Sequence, residues 1–278
     1  MNIQNFVIDP TQRDMIAALL ESDQNVLLTG PTGSGKTTFC YALADSMLMN
    51  PVVINLGSTQ DARSSLLGSY SLQDGNTSFE ESDFLKAVRT PDTLIVLDEV
   101  SRASSDAMNI LFPLLDGRRS IRVEENNGDT RVIPVADGVR FIATANIGAE
   151  YSAARKIDRA LIDRFMVFQL PYLNESELVG IMLDSQNFTD EGAKTVVALG
   201  KTYAHAAELY KNSKVRTRLS PRTVISAAAL ANKFTFKQIV ENVILPMFSG
   251  NGGVANEQTR IREFIDSHNL TQSQDIPF

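Results

Sequence analysis

The sequence predicts an α/β fold: a parallel sheet flanked by helices over residues 1–172, followed by an all-helical domain. Three observations carry that prediction. Five apolar runs recur: "NVLLTG" (25–30), "PVVINLG" (51–57), "TLIVLDEV" (93–100), "VRFIATAN" (139–146) and "RFMVFQLPY" (164–172). Each is short, rich in Val, Ile, Leu or Phe and nearly unbroken by polar residues, as strands buried on both faces of a parallel sheet are. Helical patterns lie between the runs, and after Tyr172 the strand signals stop.

Taken in order, the first run enters a glycine-rich turn and then a helix that holds Cys40. The second run contains Asn55. "GSYSLQDGNTSFEESDF" (68–84) is a polar, glycine-punctuated insert ahead of the helix "FLKAVR". In "SSDAMNILFPLLDG", Met108, Leu111, Phe112 and Leu115 share one helix face, with Gly117 placed to stop the helix. "SIRVEENNGDTRVIPVA" (120–136) reads as two short strands around Asn127-Gly128, a hairpin turn signal. Beyond Tyr172, "NESELVGIMLD", "EGAKTVVALGKTYAHAAELYK", "SPRTVISAAALANK" and "TFKQIVENVILPMF" read as helices. They define a helical domain over 173–250, and a polar tail, 251–278, contains one short helix.

Composition narrows the function classes. With 43% hydrophobic and 21% charged residues over 278 positions, the chain reads as an ordinary globular protein. The net charge of −7 argues against a surface devoted to nucleic acid. Cys40 is the single cysteine, so no intrachain disulfide forms, and His205 and His268 lie far apart without zinc-type spacing. "MNIQNFVIDP" lacks the order of a signal peptide, and no apolar run approaches the roughly 20 residues of a membrane helix. A cytoplasmic enzyme or binding protein is the expectation.

The glycine-rich turn supplies the first chemistry. Residues 30–37, Gly-Pro-Thr-Gly-Ser-Gly-Lys-Thr, match the phosphate-loop pattern in full, between a strand and a helix as the motif requires. Glycines let backbone N–H groups converge on phosphate oxygens, and a helix N-terminus adds partial positive charge. Gly30, Pro31, Thr32, Gly33, Ser34, Gly35, Lys36, Thr37 and Thr38 are therefore the candidate nucleotide-binding set. Lys36 would neutralise the β- and γ-phosphates and the Thr37 hydroxyl would ligate Mg²⁺. Asp98 ends the run "TLIVLD", where a carboxylate could hold the metal's shell, and Glu99 beside it could polarise an attacking water. Paired acids after a strand can also be solvated loop residues. Of the small-GTPase guanine reader only "ANKF" (231–234) comes close, and it lacks the Asp, so ATP is favoured over GTP.

In order along the chain, these motifs resemble an AAA+ ATPase, more narrowly the MoxR and dynein/midasin-like branch with a helix-2 insert and a hairpin before sensor 1. The resemblance covers about residues 10–232. It implies a P-loop AAA+ core with a five-stranded parallel sheet (1–172), a helix-2 insert (68–84), a pre-sensor-1 hairpin (120–136) and a helical lid (173–250). "FIATAN" resembles sensor 1, which makes Asn146 the group that places the water. "DRALIDRF" resembles the stretch holding the arginine finger, at Arg164, with Arg159 and Arg155 as nearby competitors. "LSPRTVISAA" resembles the sensor-2 helix, with Arg222 reaching the γ-phosphate, and Asn55 resembles the switch residue that restrains the catalytic glutamate. "DEVSRAS" fits the branch's Asp-Glu-x-x-Arg-Ala pattern, so that Arg102 would couple neighbouring sites. Tyr70, Leu72, Phe79 and the acidic tip Glu124 to Asp129 match two loops that point towards the pore.

The resemblance implies a homo-oligomeric ring, usually of six subunits, that hydrolyses ATP to remodel a protein client. Relatives of the MoxR type typically act with a von Willebrand factor A-type partner, which here would be a separate chain. A nucleic-acid motor or loader is the alternative, resting on "KNSKVRTRLSPR" (211–222), and a GTP-using restriction-type motor is a third reading.

Overall fold

The computed structural model describes residues 8–58, 61–73, 76–124, 130–146, 159–251 and 256–267. Outside this set fall the expected turn Asn127-Gly128, Arg155, His268 and the side chains of Leu72 and Glu124. The chain divides into two compact units, Met1–Pro171 and Tyr172–Phe278.

The first unit is built on five parallel strands: β1 (Val26–Gly30), β2 (Asn50–Asn55), β5 (Thr93–Asp98), β8 (Arg140–Asn146) and β9 (Met166–Gln169), in the order β2-β5-β8-β1-β9. This bears out the predicted fold class. Three strands are buried on both faces, and their side chains alternate between two cores. Leu27, Ile95, Leu97, Phe141 and Ala143 enter one core. Val26, Leu28, Leu94, Val96 and Ile142 enter the other. The edge strands depart from the expectation of two buried faces, because each lacks a neighbour on one side. Met166 and Val167 on β9 are about half exposed.

Helices α1 (Pro10–Glu21), α2 (Lys36–Ser46), α3 (Ala62–Leu66), α4 (Asp83–Val88), α5 (Ser105–Leu115) and α6 (Arg159–Ile162) accompany the sheet. Their starts follow the side-chain capping rule: Asp9, Asp61, Ser82 and Ser104 each accept from a first-turn amide. Helix α5 buries Met108, Leu111 and Leu115 as its spacing predicts, and ends one residue before Asp116 despite Pro113 in its last turn. Phe112 is only partly buried.

The polar insert at 68–84, not read as strand, forms an antiparallel hairpin of β3 (Gly68–Gln73) and β4 (Asn76–Glu81). Tyr70 faces Phe79 across it, with ring centroids 5.0 Å apart. The second hairpin pairs β6 (Ser120–Glu124) with β7 (Thr130–Pro134). Glu81 joins the two: its carboxylate accepts from Arg89 beyond α4 at 2.9 Å and from Arg131 on β7 at 2.5 Å.

The second unit contains α7 (Glu175–Ser185), α8 (Asp190–Lys211), α9 (Pro221–Ala228), α10 (Phe236–Ile239) and α11 (Glu257–Ser267), with a π-turn over Val240–Ile244. Its core includes Leu178, Leu199, Tyr203, Val224 and Ile239. Ile261 and Ile265 of α11 belong to the same core, so the helix of the expected tail packs with this unit rather than trailing from it. Glu257 explains how. Its carboxylate accepts from the backbone amides of Arg216, Thr217 (3.2 Å) and Ser249 (3.0 Å), stitching three segments together. Burial alone would raise its pKa, but the amides of Arg216 and Ser249 outweigh that and hold it below its ordinary 4.5.

A folded-state pKa that is depressed gives stability above the unfolded value and loses it as pH falls through the folded one. Glu257→Gln should therefore lower urea-unfolding stability by about 1–3 kcal/mol at pH 7, the range for a charge-assisted hydrogen-bonding group. The gap between variant and wild type should shrink as the pH is taken below 4.5.

Candidate functional site

The site forms where strands β1, β2, β5 and β8 end. Their register sets Gly30 beside Asn146, Leu97 beside Ala143 and Asn55 beside Asp98. Open α/β sheets bind ligands outside the carboxyl ends of their strands, and the polar residues of this unit converge there.

Gly30 ends β1 with φ +155°, and a Cβ on it would come within 2.6 Å of the Leu170 carbonyl oxygen. Only glycine fits so close to a neighbouring backbone. Gly33 and Gly35 have φ near +80°, the left-handed turn that swings the loop into α2. Gly35 is the N-cap of α2 and supplies no side-chain cap, which leaves the first-turn amides to an external acceptor. Lys36 is only 7% exposed. Its Nζ donates to the carbonyls of Gly30 (3.0 Å) and Pro31 (2.7 Å) and to Asn146 Oδ1 (2.8 Å). Lys36 and Asn146, 110 residues apart in sequence, thus meet directly.

The Thr37 hydroxyl donates to Asp98 Oδ1 at 2.9 Å. A second hydroxyl, on Thr144, donates to the same oxygen and accepts from the Glu99 amide at 3.1 Å. Thr144 is 1% exposed and was missed in reading the sequence. Its signal was available: a polar residue inside "FIATAN", two before Asn146 and so on the same face of the strand. Glu99 occupies the left-handed region, φ 58° and ψ 42°, and its carboxylate accepts from Arg102 at 3.1 Å. Asn55 Oδ1 accepts from the amides of Gly57 (2.9 Å) and Ser58 (3.1 Å).

These residues suit a triphosphate and a hard divalent cation. The glycine loop, the uncapped helix start and a buried ammonium present positive charge together. Asp98 Oδ1 and Thr37 Oγ1, already in contact, are the oxygen donors magnesium prefers. Cys40 takes no part: burial first, then the Asp98 carboxylate, push its thiol above the ordinary value.

Arg164 lies apart from this group, on the connection from α6 into β9. Arg164 packs back onto its own unit, its guanidinium 4.4 Å from the Phe112 ring centre and its Nη1 donating to the Ala160 carbonyl. Asp116 lies 4.0 Å away, and Arg164 Nε is buried without a partner among the described residues. Arg159 is exposed on α6. Arg222 is exposed on the first turn of α9, a helix opened by Pro221 with Ser220 as its N-cap, in the second unit.

The family described as AAA domain (dynein-related subfamily) matches residues 25–165, a span that contains every strand of the sheet up to β8 and both hairpins. BssE of Thauera aromatica, named as a chaperone, is 28% identical over 232 residues, covering 80% of this chain and 79% of that protein. NorQ of Paracoccus denitrificans is 26% identical over 216 residues, covering 78% and 76%. An uncharacterised protein of Staphylococcus saprophyticus is 30% identical over 188 residues, covering 66% and 69%. In fold, the chain is similar to NtrX from Brucella abortus, solved in complex with ADP, with a TM-score of 0.50 over 96% of this chain and 71% of that one. Their identity is 14%, so that likeness concerns architecture alone. The chain belongs to the AAA+ ATPases, in the dynein-related subfamily and the branch that includes the MoxR members.

Proposed function

We propose that this protein is a magnesium-dependent ATPase that works as a ring, remodelling a protein client or activating a partner complex. The observation that carries the reading is the buried Lys36 beside an uncapped helix start, with the Thr37–Asp98 pair next to it. Thr37 and Asp98 would hold the magnesium, which would supply positive charge against that developing on the phosphates. Lys36 would leave its carbonyl partners for the β- and γ-phosphates, while Asn146 and Glu99 orient and polarise the attacking water. Thr144 holds Asp98 and the Glu99 backbone at their common height.

Arg164 is the proposed finger, reaching a neighbouring subunit's γ-phosphate in a hexameric assembly, and Arg222 is the proposed sensor-2 arginine. To act in trans Arg164 has to leave Phe112, a cation–π contact worth about 0.5–2 kcal/mol for a partly buried guanidinium. Such a cost is small beside the rate gain of an arginine finger. Client remodelling is supported by the chaperone name of BssE and by the two hairpins beside the core. The client or a von Willebrand factor A-type partner would be a separate chain, and the cytoplasm is the proposed location. No helix among the described residues is long and apolar enough to cross a membrane. A nucleic-acid role draws less support, because Arg218, within the basic stretch 211–222, lies over the rings of Tyr172 and Tyr210.

Lys36→Ala should abolish ATP binding, whereas Glu99→Gln should bind ATP and lose about 100-fold or more in turnover, as expected for removal of a general base. Pull-down with Glu99→Gln in ATP should retain a protein client; retention of nucleic acid instead would favour the other motor class. Arg164→Ala should bind ATP normally and hydrolyse it about a thousandfold more slowly. Mixing it with Lys36→Ala should restore part of the turnover, and absence of rescue would contradict a shared site. Thr144→Val should lower kcat and reduce stability by about 1–3 kcal/mol through the orphaned Glu99 amide, with Thr144→Ser close to wild type.

A further inference from the structure

Asn25 buries a polar side chain at the start of β1, with 8% of its surface exposed. It takes no part in the nucleotide site, which lies at the other end of that strand. Its Nδ2 donates to the carbonyl of Leu115, the last residue of α5, at 2.8 Å and to the Arg164 carbonyl at 3.0 Å. Its own carbonyl accepts from the Met166 amide at 2.9 Å. Asn25 therefore brackets Phe165 and fixes the connection from α6 into β9 against β1 and α5. Phe165 completes the anchor by burying its ring in the same core as Leu161.

The Arg164 side chain is held less firmly than its backbone. It lies on the Phe112 ring, and its Nη1 donates to the Ala160 carbonyl one helical turn back. Its Nε has no partner among the described residues. Asp116 is the nearest acid, but Arg118 engages both of its oxygens, with Nε 3.0 Å from one and Nη2 2.6 Å from the other. Arg164 Nη2 stays 4.0 Å away. A fixed backbone under a lightly tied guanidinium suits a group that swings to a target outside its own subunit. Its own phosphate loop is out of reach, because about 16 Å of strand, at roughly 3.3 Å per residue, separates Asn25 from Gly30.

We propose that Asn25 is a positioning residue for the arginine finger: by tying the Arg164 backbone to β1 and α5, it aims the guanidinium at a neighbouring subunit's nucleotide. The inference rests on Arg164 being the finger, as proposed above. Asn25 touches neither nucleotide nor attacking water and acts only through Arg164. Misplacing a reacting group by about 1 Å can cost on the order of 100-fold in rate, so two hydrogen bonds to a backbone matter to turnover. One strand, β1, then carries a subunit's own phosphate loop at one end and steadies the finger it supplies at the other.

The test is steady-state ATPase kinetics on Asn25→Ala and Asn25→Leu, the second keeping the volume while removing the donors, well below their thermal midpoints. Both should bind ATP with wild-type affinity and lose about tenfold in kcat at unchanged KM, less than Arg164→Ala loses. Mixing separates aiming from stability. Diluted into an excess of Lys36→Ala chains, whose fingers are intact, Asn25→Ala sites should recover most of the wild-type turnover per competent site. Conversely, a Lys36→Ala chain that also carries Asn25→Ala should rescue Arg164→Ala about tenfold less well than Lys36→Ala alone. If the Asn25 variants match wild type in kcat, or stay slow in a mixture where Arg164→Ala is rescued, Asn25 does not aim the finger although the finger assignment stands. If Arg164→Ala turns over at the wild-type rate, the finger assignment fails and the role of Asn25 with it.

Discussion

Asp98 Oδ1 can accept hydroxyls from Thr37 and Thr144 only if three strands end at one height. Thr37 follows β1, Asp98 ends β5 and Thr144 lies near the end of β8. A slip of one residue in any of these strands would turn its side chains to the opposite face of the sheet. The register is held from below by two separate cores, which take alternate side chains of the same three strands. Two faces of apolar packing therefore specify the position of a few polar atoms at the rim. The site is a consequence of how the core packs.

Lys36 shows the other side of this arrangement. An ammonium removed from water is costly unless its three donors are satisfied, and here two loop carbonyls and Asn146 satisfy them. A mere stability device would use an apolar residue of similar volume. A buried cation at the start of a helix that has no side-chain cap makes physical sense where an anion is to be received. The same economy governs Glu81, whose partners on α4's flank and β7 link the two hairpins through a single carboxylate. Movement of one hairpin base would then be felt at the other.

Much of this was legible in the sequence, and the reasons differ by element. Central strands were readable because burial on both faces leaves "LIVL" and "FIA" unbroken by polar residues. The phosphate loop was readable because its glycines are demanded by backbone geometry, not by packing. Strands β3 and β4 were not, since "GSYSLQ" and "NTSFEE" are mostly polar and the alternation of Tyr70 and Leu72 is too short to mark a strand. The association of α11 with the second core was hidden because Glu257 reaches amides some forty residues away in the chain. Thr144 was overlooked because it matters through what lies on the next strand. The Asn55, Asp98 and Asn146 positions, at strand ends, were found by motif order and gain their geometry only from the register.

The most direct measurement is a calorimetric titration of the intact chain with a slowly hydrolysed ATP analogue, run with magnesium and with a chelator. A site built from the phosphate loop, Thr37 and Asp98 predicts one nucleotide bound per chain and clearly tighter binding when magnesium is present. No binding, or an affinity indifferent to magnesium, would contradict it.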